Sequence, residues 1–543
     1  MTTTNAFATA LRSEPSSTIG ENGMPQYDQI GGQFKNIMKL IQVAKDRIKT
    51  EDKEDLKYLI NQSYLENPFL LSMALLYIRA ITREDKQTKL KISGMGRKDI
   101  FIFALNTLYE SGYKDVVLFV SSRIPLVGYI KDATGKSSGH EPLNYKIVRD
   151  YVMPILIEGL KDDNYKYLIA KYLPTEGDKY FKLFLNAFVY EGIIEVVKDK
   201  SYQNKIYRKY VSGLRKESFL VEHYIHSNNF SEIDYKKVPS RAMFQYQKLF
   251  NKKDYTRYSN FIDKAITGEV TVNSGTLYIH EIYHNLEKNV NNTQGIEWRQ
   301  TEALWNNYPK FFNIEGNILV VIDGSWSMTD LLESEKPYIR LDVARGLGLY
   351  VATKLNTGAF KDIAIEFSRN SNIIDLKNKT LTNQVQELCS KCKVENTNIE
   401  RVFDQILEIA LNNNVSQEDM PKAILIISDM QFDNSEYDVT AHELIKKKYS
   451  EAKYEVPLIV YWNLDAKSSP VKYNSVGAAV LNGYSVGTLK AIADLDFKRL
   501  DVNSITPEKI TLSNILQPAF AYNDEEILKA INTHRSAFCL DEC

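Results

Sequence analysis

The spacing of apolar residues along the chain changes its period near the middle. From Phe34, apolar positions recur every three to four residues, as at Ile37, Met38, Ile41 and Val43, the spacing that puts them on one face of a helix. Amphipathic segments of the same kind follow at 54–64, 68–82, 99–111, 114–122, 145–160, 163–173, 178–190, 204–213, 240–250 and 255–267, and strand-like alternation is scarce among them. Many short helices joined by short polar loops predict an α-helical repeat (HEAT-like) domain over 31–300, in which each unit buries its apolar face against its neighbours, although no repeat of fixed period is found. Residues 1–30 are polar and rich in Ser, Thr and Gly and read as a tail, and the polar stretch 287–300 closes this half.

Beyond it, apolar runs of strand length alternate with helix-length segments. The runs are ILVVID at 318–323, IAIEF at 363–367, AILIIS at 423–428, PLIVYW at 457–462 and GAAVL at 477–481, separated by helical patterns at 341–355, 381–389, 398–411, 438–450 and 485–494. Continuously apolar strands between helices predict a parallel sheet covered on both faces, so 313–540 is expected to be a doubly wound α/β (Rossmann-like) domain whose ligands sit at the C-terminal strand ends. The chain is thus multidomain, as 543 residues also require.

Composition narrows the class. Hydrophobic residues make up 44% and charged residues 25%, the proportions of a globular protein. No apolar run approaches the roughly 20 residues of a membrane-spanning helix, and the N-terminus lacks a basic segment followed by an apolar core, so an intracellular, cytoplasmic protein without membrane contact is expected. Four cysteines are too few for a disulfide scaffold. The net charge of −1 exerts no overall pull on nucleic acid, yet 201–264 holds thirteen Lys or Arg against six Asp or Glu, with Tyr202, Tyr207, Tyr210, Tyr246, Tyr255 and Tyr258 among them.

The first apolar strand ends in Asp323-Gly324-Ser325-Trp326-Ser327. One carboxylate and two hydroxyls at alternating positions of a tight strand-to-helix loop can face one hard cation that prefers oxygen; the plainer alternative is a helix N-cap. Thr397 before a later helix and Asp429 after the AILIIS strand would join it at the same sheet edge. The expected ion is Mg²⁺, with Mn²⁺ or Ca²⁺ as alternatives. D-x-S-x-S with a later Thr and a later strand-end Asp resembles the metal-ion-dependent adhesion site of von Willebrand factor A domains. From about 21 to 516 the chain is similar to a Ro/TROVE-like family of unknown function, in which an arc or ring of helical repeats is joined to such a domain. The residues carrying this are Glu21-Asn22-Gly23, Val238-Pro239-Ser240-Arg241-Ala242, Phe250 with Asp254, His280-Glu281-Ile282, Asp429-Met430-Gln431-Phe432-Asp433 and Trp462-Asn463. The resemblance implies RNA binding by the helical half, for which Lys236, Lys237, Arg241, Lys248, Lys252 and Lys253 are the candidates.

Other motifs invite stronger claims. His280-Glu281-Ile282-Tyr283-His284 matches the zinc-protease pattern H-E-x-x-H, but Glu287 stands where the extended motif has glycine, and a helix terminus or buried polar contact accounts for it as well. Ala133-Thr134-Gly135-Lys136-Ser137 lacks the first glycine of a phosphate loop, since Ile130 occupies that position, and Gly94-Met95-Gly96-Arg97-Lys98 reads as a basic turn. Cys389, Cys392, Cys539 and Cys543 are too loosely spaced to specify zinc. The expectation is a non-enzymatic, metal-dependent binding or scaffold protein whose ion takes an acidic group of a protein partner, with structured RNA as the alternative ligand and a zinc hydrolase third.

Overall fold

Ten strands are seen in the computed structural model, which describes residues 17–20, 22–27, 32, 34–45, 48–49, 51–84, 91–124, 132, 142–161, 166–217, 220–332, 337–391, 397–434, 439–465, 468–521 and 525. In chain order they are β1 (Ser17–Ile19), β2 (Pro25–Tyr27), β3 (Arg83–Glu84), β4 (Lys91–Ile92), β5 (Ile318–Asp323), β6 (Ile363–Phe367), β7 (Ser371–Asp375), β8 (Ala423–Ser428), β9 (Leu458–Asn463) and β10 (Ala478–Asn482). The chain divides into an α/β unit of residues 1–47, 82–95 and 274–543 and a helical unit of residues 48–81 and 96–273.

The α/β unit is built on a six-stranded sheet of order β10-β9-β8-β5-β6-β7. Five strands are parallel, and β7 is antiparallel to β6 at the edge. Numbered from β5 as the first, this is the 3-2-1-4-5-6 order of a doubly wound sheet, whose switch point lies between strands 1 and 4, here β5 and β8. Every residue of β5, β8, β9 and β10 is buried, which is why these segments read as unbroken apolar runs. The five predicted runs are strands within a residue of their expected bounds. β7 escapes the pattern because its SNIID sequence is half polar, as an edge strand tolerates.

Helices Arg340–Tyr350, Ile399–Asn412 and Ala441–Glu451 cover the sheet. Departures from expectation enlarge this unit, which also takes in 34–45, 82–84 and 91–95 from the stretch read as the helical repeat. The helices Ile279–Asn289 and Ile296–Asn306 belong to it and not to the helical domain expected over 31–300; Ile279, Ile282, Tyr283 and Leu286, with Trp298, Leu304 and Trp305, form their buried faces, Trp298 within the stretch 287–300 read as a polar boundary. Residues 17–27, read as tail, carry β1 and β2, with Met24 buried in the sheet core beside Met430 and Phe432.

The helical unit contains helices and no strand among its described residues. Pro68–Arg79 and Asp99–Glu110 are buried almost all round, and successive helices pack on one another, as Lys53–Glu66 does on both. Asn67 starts the first of these by accepting the Leu70 N–H at 2.9 Å, and Pro68 follows at a position where no intrahelical N–H bond is lost. The helical segment 145–159 contains a π turn at Val148–Val152 immediately before Pro154, where the missing N–H would interrupt the ladder. No helix among the described residues is long and apolar enough to cross a membrane.

Candidate metal centre

At the C-terminal end of β5 five apolar residues give way to Asp323, which is fully buried. Its Oδ1 accepts the Ser325 N–H at 2.9 Å, an Asx turn that folds the loop back over the strand end. The Gly324 N–H donates to the Phe367 carbonyl of β6 at 2.7 Å and anchors the other side of the loop. The Ser325 and Ser327 hydroxyls are 3.2 Å apart, and the Ser327 hydroxyl lies near enough the Asp429 carboxylate at the end of β8 to pull its pKa down. Asp429 Oδ1 accepts the Gln431 N–H at 3.1 Å. Four of the five candidates therefore converge. Thr397, also buried, is tied to the segment that follows Asp429 by its carbonyl, which accepts the Asp433 N–H at 2.9 Å.

The helix-cap alternative does not describe these side chains. The helix after the D-x-S-x-S loop begins only at Arg340, and Asp342 caps it by accepting the Ile339 N–H. Ser325 makes no side-chain cap bond to the 3₁₀ turn Trp326–Thr329. Before Ile399–Asn412 the cap is Asn398, which accepts the Arg401 N–H, so Thr397 is left out of that role as well.

Burial, and after it the charge of Asp429, holds the Asp323 carboxyl well above the ordinary carboxylate range; burial raises Asp429 too, against the pull of the Ser327 hydroxyl, the Gln431 N–H and Arg340. Among the described residues no lysine or arginine forms an ion pair with either carboxylate. Arg340 instead binds the Ser327 carbonyl at 2.9 Å, Asp330 at 3.0 Å, and Asp465. Two buried carboxylates held near hydroxyl oxygens are donors of the kind a hard divalent cation prefers. At an Mg–O distance of roughly 2.1 Å, neighbouring oxygens of an octahedral shell stand roughly 3 Å apart, and the Ser325 and Ser327 oxygens have about that separation. No group of three or more His, Cys, Asp or Glu side chains is placed to hold a metal among the described residues; the present set uses only two such residues, the rest being hydroxyls.

Several participants escaped the sequence pattern. Ser428 Oγ donates to Asp323 Oδ2 at 2.5 Å and accepts the Met430 N–H at 2.8 Å, tying the two carboxylate loops together. Its one sequence signal is its place directly before Asp429. Asn22 donates to the Thr397 hydroxyl at 3.4 Å and to the Gln431 carbonyl at 2.7 Å, across more than 370 positions of sequence.

The remaining motifs take other places. Glu281 caps its own helix by accepting the Tyr278 N–H at 2.9 Å, and His284 Nδ1 lies 3.0 Å from Asp342 Oδ2. His280 is packed among Tyr278, Tyr338 and Tyr484. Gly94–Lys98 leads into the helix Asp99–Glu110, where Arg97 pairs with Asp99. Burial pushes the Cys389 thiol up to about 12, helped by Glu287, which keeps it a neutral thiol near pH 7. Cys392, Cys539, Cys543, Ala133–Ser137 and Glu21 lie outside the described residues.

In the basic stretch Lys236, Lys237, Lys248, Lys252 and Lys253 are exposed and Arg241 half-buried, while Tyr207 and Tyr258 are core residues. Lys237 is within 3.7 Å of Asp234. Phe250 and Asp254, two of the residues that carry the family resemblance, are structural: Phe250 packs on Tyr235 and Tyr258, and Asp254 accepts the Tyr235 hydroxyl at 2.9 Å.

Residues 317–511 match a family model described as a domain of unknown function (DUF7788), and residues 187–308 match another, domain of unknown function (DUF2828). The first span encloses all five metal candidates and leaves out Asn22. The chain is also 26% identical over 350 residues to uncharacterized protein L728 of Acanthamoeba polyphaga mimivirus, covering 61% of this chain and 58% of that relative. The chain thus spans little more than half the length of the relative it matches.

Proposed function

We propose that the protein is a non-enzymatic, metal-dependent binding protein, in which Asp323, Ser325, Ser327, Thr397 and Asp429 hold one divalent cation, Mg²⁺ by the hardness and size of the donor set. The carrying observation is the meeting of two buried carboxylates, Asp323 and Asp429, with the Ser325 and Ser327 hydroxyls at the switch point between β5 and β8. A cation bound by only two carboxylates keeps open coordination positions, which an acidic group of a protein partner can fill. The von Willebrand factor A-like reading of this unit is supported by the D-x-S-x-S motif and by the sheet order with its antiparallel edge strand. The roles of Glu281 as a helix cap and of His284 as a partner of Asp342 favour binding over hydrolysis.

Metal analysis and thermal unfolding with and without MgCl₂ test this on wild type, Asp323→Ala and Asp323→Asn. Wild type is expected to carry about one ion and to be stabilised by Mg²⁺, by ~2.7 kcal/mol at a hundredfold excess over Kd. Both variants are expected to lose ion and stabilisation together. An Asp323→Ala protein with unchanged metal content would sink the reading.

A second reading, Ro-like binding of structured RNA, has one observation in its favour: Lys248, Lys252 and Lys253 are exposed beside the exposed Tyr255 on consecutive helices. Salt dependence of RNA binding decides it.

A further inference from the structure

The hairpin of β1 and β2 lies against the very loops that carry the metal candidates. Met24 anchors it in the sheet core at 1% exposure. Gly23, at a φ of 94° that favours glycine, forms a bridge with Asp433, and the Asn434 N–H donates to the Asn22 carbonyl at 3.1 Å. Tyr27 and Ser469 exchange two backbone hydrogen bonds of 2.9 and 2.8 Å, which fixes the far end on the segment after β9. Between these anchors two side chains reach the metal loops. Asn22 Nδ2 donates to the Thr397 hydroxyl and the Gln431 carbonyl. Gln26, itself 1% exposed, donates to the Met430 carbonyl at 2.5 Å and accepts the Ser468 hydroxyl.

Met430 is where such support matters. It has a φ of 63°, a left-handed conformation that a side chain with a Cβ disfavours, and it directly follows Asp429. A residue in that conformation persists when its surroundings hold it from several sides. Its N–H is held by Ser428 and its carbonyl by Gln26. The course of the chain just after Asp429 is thus held in part by a residue more than 400 positions away in sequence.

We propose that the N-terminal hairpin is a built-in clamp on the metal centre, in which Asn22 and Gln26 are positioning residues that set Thr397 and the Asp429 loop for the ion. This rests on the metal-binding reading above. The two residues touch the ligand-bearing loops and not the ion, and they fall outside the span of the domain that contains all five candidates. A domain cut to that span would keep its ligands and lose the support of two of them.

The test is titration of the full-length protein with MnCl₂, counting free Mn²⁺ by its paramagnetic resonance signal, for wild type, Asn22→Ala, Gln26→Ala and Asp323→Ala. Wild type is expected to bind one ion and Asp323→Ala none. Asn22→Ala and Gln26→Ala are expected to bind one ion with affinity lowered roughly tenfold or more, the usual effect of removing an outer-shell partner. Asn22 is exposed, so its substitution is expected to leave the unfolding midpoint in EDTA unchanged while hydrogen exchange at Gln431 and Asp433 quickens. Wild-type affinity in both hairpin variants overturns the clamp and leaves the metal reading standing; a wild type that binds no Mn²⁺ overturns both.

Discussion

At the scale of single residues, the α/β unit is decided by buried polar groups whose partners come from distant parts of the chain. His442 is the clearest titrating case. Burial, and then Lys446, lowers its pKa from the ordinary 6.5 to about 4, and the neutral ring sits between the Tyr461 hydroxyl and the Val476 carbonyl, each at 3.3 Å. In the unfolded chain the same imidazole takes a proton near pH 6.5. Between those values the unfolded state binds more protons, so stability is complete above pH 6.5 and falls as the pH drops toward about 4, by on the order of 3 kcal/mol in all. His442→Gln is expected to flatten the decline of the urea midpoint across that window; a curve parallel to wild type would show that His442 does not carry it. At the metal candidates residue type was legible and geometry was not. Asp323, Ser325 and Ser327 announce themselves by spacing, whereas Ser428 is marked only by its place before Asp429 and Asn22 by no chemistry of its own segment, because their contacts form only when distant segments meet.

At the scale of elements, close packing sets what each helix may contain. Gly348 lies on Arg340–Tyr350 against β5, and a Cβ there would stand 2.5 Å from Ile322 Cδ1 and 2.6 Å from Ile322 Cγ1. Alanine would gain about 1 kcal/mol of helix propensity, but overpacking a filled core costs ~1–3 kcal/mol, and Ile322 is completely buried. Gly348→Ala is therefore expected to lower stability by up to ~2 kcal/mol. Adding Ile322→Val, which removes the Cδ1 atom, is expected to restore part of it; additive losses in a double-mutant cycle would refute the steric account. Most elements were legible because burial on one or both faces writes a period into the sequence. The exceptions have a common cause: β1, β2 and β7 are short edge segments with polar residues, so too little apolar surface is buried to leave a pattern.

At the scale of the whole molecule, charge and connectivity separate the two functional readings. With a net charge of −1, RNA could be held only by the local excess of lysine and arginine over 201–264. If that surface binds structured RNA, log K falls with log salt in proportion to the phosphates neutralised, and replacing Lys236, Lys237, Arg241 and Lys248 by Gln flattens the slope by up to about three to four. Binding that ignores both salt and these substitutions would refute the RNA reading. The same replacements are expected to leave metal content unchanged, since all four lie in the helical unit.

The sequence alone determined five of the six strands of the main sheet, the helical character of the first half and the residue types of the candidate site, because hydrophobic periodicity and motif spacing are local quantities read over ten or so positions. It also pointed to Thr397 and Asp429 as partners of the D-x-S-x-S loop through their places at the ends of later elements. Only the tertiary structure decided that residues 17–27 belong to the α/β unit, that the helices Ile279–Asn289 and Ile296–Asn306 belong to it too, and that Asn22, Gln26 and Ser428 bond to the loops of the candidate residues. Those contacts join residues 100 to more than 400 positions apart, and they depend on strand order and loop closure, which no single window of sequence contains.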